Sequence, residues 1–222
     1  MMKKNGFTLA EVLITLAIIG VVATLTLPAL LTNTQEQQSK TALKKGINTL
    51  TEMAQMNQAM TGFDYGSITS DDTTKNDDET QSLYSLLANR GSIDFSTSKK
   101  GALKGQSSAD NFVVFFRDGS ALSFLPANTK STAVVSGTTK VADVMSDGLP
   151  YGYPALYDYN GTKGPNILSN CEGKMDATND TDDIKNCNDK TKRIIKDQFG
   201  VRLRGGYAVP NGAAARWAFE NK

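Results

Sequence analysis

The residue whose chemistry is hardest to explain by folding alone is Glu11, which lies at the edge of a long apolar segment. Val12 to Leu31 form twenty consecutive residues without a charged side chain. A carboxylate at the edge of hydrocarbon costs roughly a few kcal/mol, so such residues are usually functional and paired. No lysine or arginine lies within one helical turn of Glu11. We therefore expect its partner to come from elsewhere.

A cut between Gly6 and Phe7 would create such a partner. It would give Phe7 a free α-ammonium group four residues before Glu11. That ammonium could pair with Glu11 within one chain, or with the glutamate of a neighbouring copy whose helix packs alongside. Pairing between copies would set the axial offset (the register) between neighbouring helices, because each axial step must bring an amine to a carboxylate.

The rest of the composition argues against catalysis and against nucleic-acid binding. The 222-residue chain has no histidine, which removes the commonest proton-transfer group and metal ligand. It has no Gly-x-Ser-x-Gly, phosphate-loop or dinucleotide motif, so we predict that it is not an enzyme. Its 24 basic and 23 acidic residues give a net charge of +1 with no basic cluster, which is atypical of nucleic-acid-binding proteins.

The two cysteines, Cys171 and Cys187, are too few for a four-thiolate zinc site, and no histidine is present to complete a mixed one. A single disulfide is the simplest interpretation, and it requires an oxidising compartment. Oxygen side chains between the cysteines could gather a cation, but we expect them to be solvated. This acidic set consists of Asp176, Asn179, Asp180, Asp182 and Asp183.

Asp158 and Asn160 precede Gly161 at alternate positions, as in the opening of a calcium-binding loop. The EF-hand pattern then fails, because the fifth position lacks Asp or Asn and the twelfth lacks Glu. A turn stabilised by Asp and Asn side chains explains the same residues. The turn is the interpretation that we favour, and calcium is the one cofactor considered.

The apolar segment after Glu11 is long enough to cross a membrane as a helix. Twenty residues at 1.5 Å per residue span roughly 30 Å, the thickness of the hydrocarbon core. Lys3 and Lys4 precede the segment and predict that the amino terminus stays in the cytoplasm. The cysteines then lie on the oxidising side. A secretory signal peptide and an uncleaved anchor are the alternatives, and neither explains the carboxylate of Glu11.

The segment from Gly6 to Glu11, with lysines before it and the apolar run after it, resembles the amino-terminal motif of type IV prepilins and type II secretion pseudopilins. The resemblance implies that a prepilin peptidase cleaves between Gly6 and Phe7 and methylates the new amine of Phe7. It also implies that Glu11 is the glutamate that sets filament register.

Three further expectations come from the same resemblance. Gly20 and Pro28 match the positions at which the family's helix unwinds locally, since proline lacks an N–H and glycine tolerates unwinding. The loop between Cys171 and Cys187 is similar to the carboxy-terminal disulfide loop of pilins. Calcium-stabilised loops, which some pseudopilins have, keep the calcium interpretation open.

The function implied is that of a structural subunit in a type IV pilus-like or type II secretion pseudopilus filament, and the large head with long loops favours a minor subunit. The expected partners are the prepilin peptidase, an inner-membrane assembly platform, other pilin-like subunits and, before assembly, membrane lipid. The chain would cross the bacterial inner membrane once, with a periplasmic or extracellular head. The alternative is a monomeric membrane-anchored binding module, either an adhesin or a calcium-binding head, that never polymerises.

Helical periodicity resumes after a polar stretch, so we predict one helix from about Leu9 to Met60. Its second half carries one apolar stripe that requires a cover. The stripe consists of Leu43, Ile47, Leu50, Ala54 and Met60. The methionines Met53, Met56 and Met60 are expected to fill core space.

An antiparallel hairpin is the best candidate for that cover. Asn111–Phe116 and Ala121–Leu125 flank the turn signal Asp118-Gly119. A weaker strand is expected at Ala155–Asp158 and another at Val201–Leu203. Periodicity does not decide between helix and strand for residues 213–219.

The sum is an α+β fold, with a long amino-terminal helix packed on a small antiparallel sheet, as the resemblance also implies. The predicted organisation is a leader at 1–6, a transmembrane or filament-core helix at 7–31, an amphipathic helix at 32–61 and a globular head at 62–222.

Overall fold

The computed structural model describes residues 6–101, 103, 111–126, 152–171 and 186–221. Its helices are α1 (Leu9–Thr61), α2 (Leu83–Arg90) and α3 (Ala213–Glu220), and a 3₁₀ turn lies at Tyr65–Ser67. Its strands are β1 (Lys99–Lys100), β2 (Phe112–Phe115), β3 (Ala121–Phe124), β4 (Tyr153–Asp158), β5 (Asn170–Cys171), β6 (Arg193–Ile194), β7 (Gln198–Arg204) and β8 (Tyr207–Pro210). The predicted α+β class, a long amino-terminal helix followed by a small antiparallel sheet, is confirmed.

The chain divides into two compact units, with the boundary between Gln38 and Ser39. The first unit contains the amino-terminal part of α1, and its apolar side chains are exposed. The second unit contains the remainder of α1 and all the other elements.

Two antiparallel sheets organise the second unit. The larger has the order β1-β2-β3-β4-β7-β8, and the smaller pairs β5 with β6. The hairpin predicted around Asp118-Gly119 is present, with Phe112 opposite Phe124 and Phe115 opposite Ala121. Its turn is held by Asp118, whose Oδ1 accepts the N–H and the hydroxyl of Ser120.

The predicted stripe of α1 provides one wall of the core. Leu43, Ile47, Leu50 and Ala54 are at most 3% exposed and belong to one cluster with side chains of the large sheet. Gly46 lies so close to β4 that a Cβ placed there would stand 2.3 Å from the ring of Tyr157. The absence of a side chain at Gly46 therefore lets the helix approach the sheet closely, and the stripe is buried between them.

The prediction for the methionines is partly wrong. Met53 is buried, but Met56 and Met60 are 54% and 65% exposed. Steps of three and four residues keep a helix face, whereas the step of six from Ala54 to Met60 turns about 240° away from it at 3.6 residues per turn. Met60 consequently lies outside the covered stripe, and so does Met56, which is two residues and about 200° from Ala54.

The structure also settles the carboxy-terminal segment and adds strands that the sequence did not indicate. Residues 213–220 form the helix α3, whose buried side chains include Trp217. The added strands are β1, β5, β6 and β8, of two to four residues each. Ser82 begins α2 as its N-cap, because its Oγ accepts the N–H of Ser85.

Candidate functional site

Thr8 and Glu11 form a reciprocal cap at the beginning of α1. The N–H and the hydroxyl of Thr8 both donate to Glu11 Oε2, at 2.8 and 2.9 Å. In return, the N–H of Glu11 donates to Thr8 Oγ1 at 3.3 Å. This is a capping box, and it satisfies orphan N–H groups of the first turn. The Thr-x-x-Glu spacing is its sequence signal, which our sequence interpretation did not use.

The predicted cleavage point lies immediately before this cap. Gly6 and Phe7 are exposed and precede the helix, so the peptide bond between them is outside regular structure. Cleavage there would leave the amine of Phe7 one residue from the Thr8 N–H that Glu11 already accepts. Cleavage, methylation of Phe7 and the register role of Glu11 stay predictions.

The first part of α1 presents an apolar surface that is not covered by the described residues. Among those residues, α1 is the one helix long and apolar enough to cross a membrane, and its apolar segment contains no buried residue. Burying apolar surface contributes roughly 25 cal/mol per Å², so this surface favours lipid or other helices over water. The exposed large side chains are Phe7, Leu9, Val12, Leu13, Ile14, Leu16, Ile18, Ile19, Val21, Val22, Leu25, Leu27, Leu30 and Leu31.

Gly20 and Pro28 lie inside the continuous helix. Apart from the neighbouring backbone of the same helix, no described atom comes within 4 Å of a Cβ built at Gly20. Pro28 has no N–H to donate to the carbonyl of Thr24, so one backbone hydrogen bond of the helix is missing there. The local unwinding predicted at these two positions has no counterpart in the structure of the isolated chain, where the helix is unbroken, and it stays a prediction for the filament.

In the second unit, Asp158 ends β4 and holds the turn that we favoured from the sequence. Its Oδ1 accepts the N–H groups of Asn160 and Gly161, at 3.1 and 3.0 Å, and its Oδ2 accepts Nε2 of Gln198 at 3.0 Å. Gly161 has a φ of 64°, a conformation suited to glycine. Asp158 is thus a structural residue of this turn.

The same cluster is rich in oxygen acceptors. Burial raises the pKa of the Asp158 carboxyl to about 6, against the opposing effect of its hydrogen bonds, and the nearby carboxylate of Asp197 adds to the rise. Asp197 accepts the N–H groups of Asn166 and Ile167, at 2.6 and 2.8 Å. No local pattern in the sequence predicts this second carboxylate, because it lies thirty-nine positions after Asp158.

These residues offer a partial set of calcium ligands. The side-chain oxygens of Asn160 and Gln198 are buried and make no hydrogen bond among the described residues, and oxygen is the ligand that calcium prefers. Three N–H donors already occupy the carboxylate of Asp158. The part of the chain that the structure describes contains no group of three or more His, Cys, Asp or Glu side chains that could hold a metal. Calcium binding therefore stays an untested alternative to the favoured turn.

Cys171 and Cys187 form a disulfide, with a Cα–Cα distance of 5.2 Å. Both cysteines are buried and belong to the hydrophobic core cluster. The acidic set from Asp176 to Asp183 lies outside the described residues.

Comparison with known proteins gives one match, at the amino terminus. Residues 1–27 match the family model of the prokaryotic N-terminal methylation motif. No curated protein and no solved structure matches the chain. The chain therefore carries the prepilin-type cleavage and methylation motif of type IV pilins and pseudopilins, followed by an α+β architecture consistent with a pilin.

The motif implies processing by a prepilin peptidase and assembly with pilin-like subunits. Together with the apolar first part of α1, it fits a pilin anchored in the inner membrane. It points to a structural subunit and not to an enzyme.

Proposed function

We propose that this chain is a minor structural subunit of a type IV pilus-like or type II secretion pseudopilus filament, cut between Gly6 and Phe7. The observation that carries the proposal is the exposed apolar surface from Phe7 to Leu31, which overlaps the matched motif and is not covered by the described residues. Packed helices of neighbouring subunits would provide that cover. The carboxylate of Glu11 and the amine of Phe7 would provide the axial register.

Glu11→Ala is the substitution that separates a filament subunit from an anchored module. We expect filament assembly in the native cell to be lost while cleavage continues. The substitution removes the acceptor for the amine but does not change the residues on either side of the cleavage point. Glu52→Ala is the matched control, since it deletes the same charge from an exposed position of the same helix. Filaments are counted by electron microscopy, and cleavage is read from the mass of the mature amino terminus.

Two results would contradict the proposal. One is a mature protein that still begins with its leader, because the amine of Phe7 would then not exist. The other is wild-type assembly of the Glu11→Ala variant, which would favour a monomeric membrane-anchored module.

Support for a minor subunit comes from the length of the head and its long connections, such as residues 68–82 before α2. Quantitative mass spectrometry of purified filaments tests this finer assignment. We expect few copies of this chain for each copy of the most abundant subunit, and a majority share would overturn it.

Calcium binding by Asp158 and Asn160 is a separate, testable addition to this function. Two buried amide oxygens without hydrogen bonds support it. Thermal melting of the full chain in detergent, with calcium and with a chelator, is the test. An unchanged midpoint removes calcium from the proposal without affecting the filament.

A further inference from the structure

Trp217, the one tryptophan of the chain, contacts two cations from distant segments of the second unit. The Nζ atom of Lys40, in α1, lies 4.0 Å from the centre of its ring, and the Cζ atom of Arg193, in β6, lies 4.1 Å from it. Trp217 and Lys40 are 5% and 6% exposed. Cation–π attraction is strongest where water is excluded, so these two cation–ring contacts link α3 with α1 and β6.

The ring is also tied to the segment that begins at the disulfide. Its Nε1–H donates to Oδ1 of Asn188, at 3.0 Å, and Asn188 directly follows Cys187. Arg193 donates from Nη1 to the carbonyl oxygen of Cys187, again at 3.0 Å. Cys187 therefore helps to position both Asn188, which follows it in the chain, and Arg193, which donates to its carbonyl oxygen.

The other cysteine fixes the same segment. In the small sheet, Cys171 of β5 is the direct partner of Arg193 of β6. Two-residue strands in a two-stranded sheet are marginal by themselves. The covalent bond between Cys171 and Cys187 consequently adds a constraint on where Arg193 lies.

Trp217 is the largest buried side chain of α3. The other buried residues of this helix are Ala214, Ala215 and Ala218, which bury little surface, and Phe219 packs against the core while partly exposed. A large aromatic ring is the natural anchor for a helix of this composition.

We propose that the Cys171–Cys187 disulfide is a redox latch that, through Arg193 and Asn188, holds α3 on α1 by way of Trp217. Closing the latch removes two electrons and two protons from the thiols of Cys171 and Cys187. An exchanging disulfide accepts them and becomes a dithiol. A dithiol reductant opens the latch by the reverse exchange. The latch does not depend on filament formation.

Trp217 is its own reporter, because no other tryptophan contributes to the emission. The full chain is purified in detergent and compared before and after reduction with a dithiol. We expect the emission to shift to the red and acrylamide quenching to rise about twofold, since a released helix exposes its ring to solvent. Far-UV circular dichroism should change little, because the large sheet does not include the disulfide.

Arg193→Ala keeps both cysteines and removes one cation from the ring. We expect it to give part of the change in quenching without any reductant. Lys190→Ala is the matched control, an exposed cation three residues away on the same segment. It should leave the emission of Trp217 unchanged.

A double variant separates a latch from general stabilisation. If the disulfide acts through Arg193, Arg193→Ala should add little quenching to a chain that already carries Cys171→Ser and Cys187→Ser. Fully additive effects would overturn the proposal. Unchanged quenching on reduction would also overturn it, because the disulfide would then not hold α3. Loss of the whole circular dichroism signal would overturn it as well, because the disulfide would then stabilise the entire head.

Discussion

The two parts of α1 use similar residues and bury them in opposite ways. Before Gln38, leucines, isoleucines and valines are mostly more than half exposed. From Ser39 onward, Leu43, Ile47 and Leu50 are almost completely buried against the chain's own sheet. One helix thus contains a segment whose apolar side chains are exposed and a segment whose apolar side chains are buried by the same chain.

This difference shows where each region obtains its stability. The second unit is stabilised by its own core, so its unfolding can be measured with the isolated chain. The first unit has no core of its own, so substitutions there should act on insertion or assembly and leave unfolding of the head unchanged. The predictions below test that separation.

The largest effect is expected from Leu50→Ala. Leu50 is 1% exposed, and truncating a buried leucine costs about 2–5 kcal/mol. The matched substitution Leu16→Ala, at a position that is 61% exposed, should change the free energy of unfolding by less than about 0.5 kcal/mol. Denaturant unfolding of the head in detergent measures both, and equal losses would contradict the separation.

Gly46→Ala and Gly20→Ala repeat the comparison with glycines of one helix. A methyl group at Gly46 would overlap the ring of Tyr157, so we expect a loss of about 1–3 kcal/mol from overpacking. At Gly20 a methyl group meets nothing within 4 Å. Gly20→Ala should therefore leave thermal unfolding of the head unchanged. A destabilised Gly20→Ala head would show that the first unit takes part in head stability.

A smaller effect concerns pH. Because the pKa of Asp158 rises from 3.8 to about 6 on folding, its contribution to stability is complete below pH 3.8 and is lost as pH rises through about 6. Asp158→Asn lacks this titration, so its Tm relative to the wild type should increase between pH 4 and pH 7. Melting curves in the presence of a chelator measure the difference. A constant difference would mean that Asp158 has an ordinary pKa.

The smallest effect is expected from Lys45→Ala. Lys45 and Asp118 form an ion pair with an N–O distance of 3.2 Å, but both side chains are well exposed. Such pairs contribute about 0–1 kcal/mol. The loss should shrink further in high salt, which screens the pair. A loss comparable to that of Leu50→Ala would mean that surface charge, and not packing, stabilises the head.

The elements predicted from the sequence are those with a strong local signal. A 53-residue helix and the hairpin around Asp118-Gly119 combine periodicity with turn residues, and both are present. The strands β1 and β8 were missed because Lys99-Lys100 resembles a loop and Pro210 is atypical of a strand. Their pairing is decided by neighbours distant in sequence, which no local pattern contains.

The candidate site divides in the same way. Glu11 was identified because a charge in an apolar run is visible in the sequence. Its contact with Thr8 is local and could have been predicted from the Thr-x-x-Glu spacing. The contacts of Asp158 with Gln198 and of Trp217 with Lys40 join residues 40 and 177 positions apart, so they required the fold.

The outer strands of the large sheet have a consequence for crowding. In a filament, this head would lie close to the heads of other subunits, where exposed sheet edges can join to form aggregates. At one edge, β1 is two residues long and presents the exposed lysines Lys99 and Lys100. At the other, β8 ends in Pro210, which cannot donate a backbone hydrogen bond. The lysines at one edge and the missing donor at the other would disfavour pairing of this sheet with the sheet of a neighbouring head.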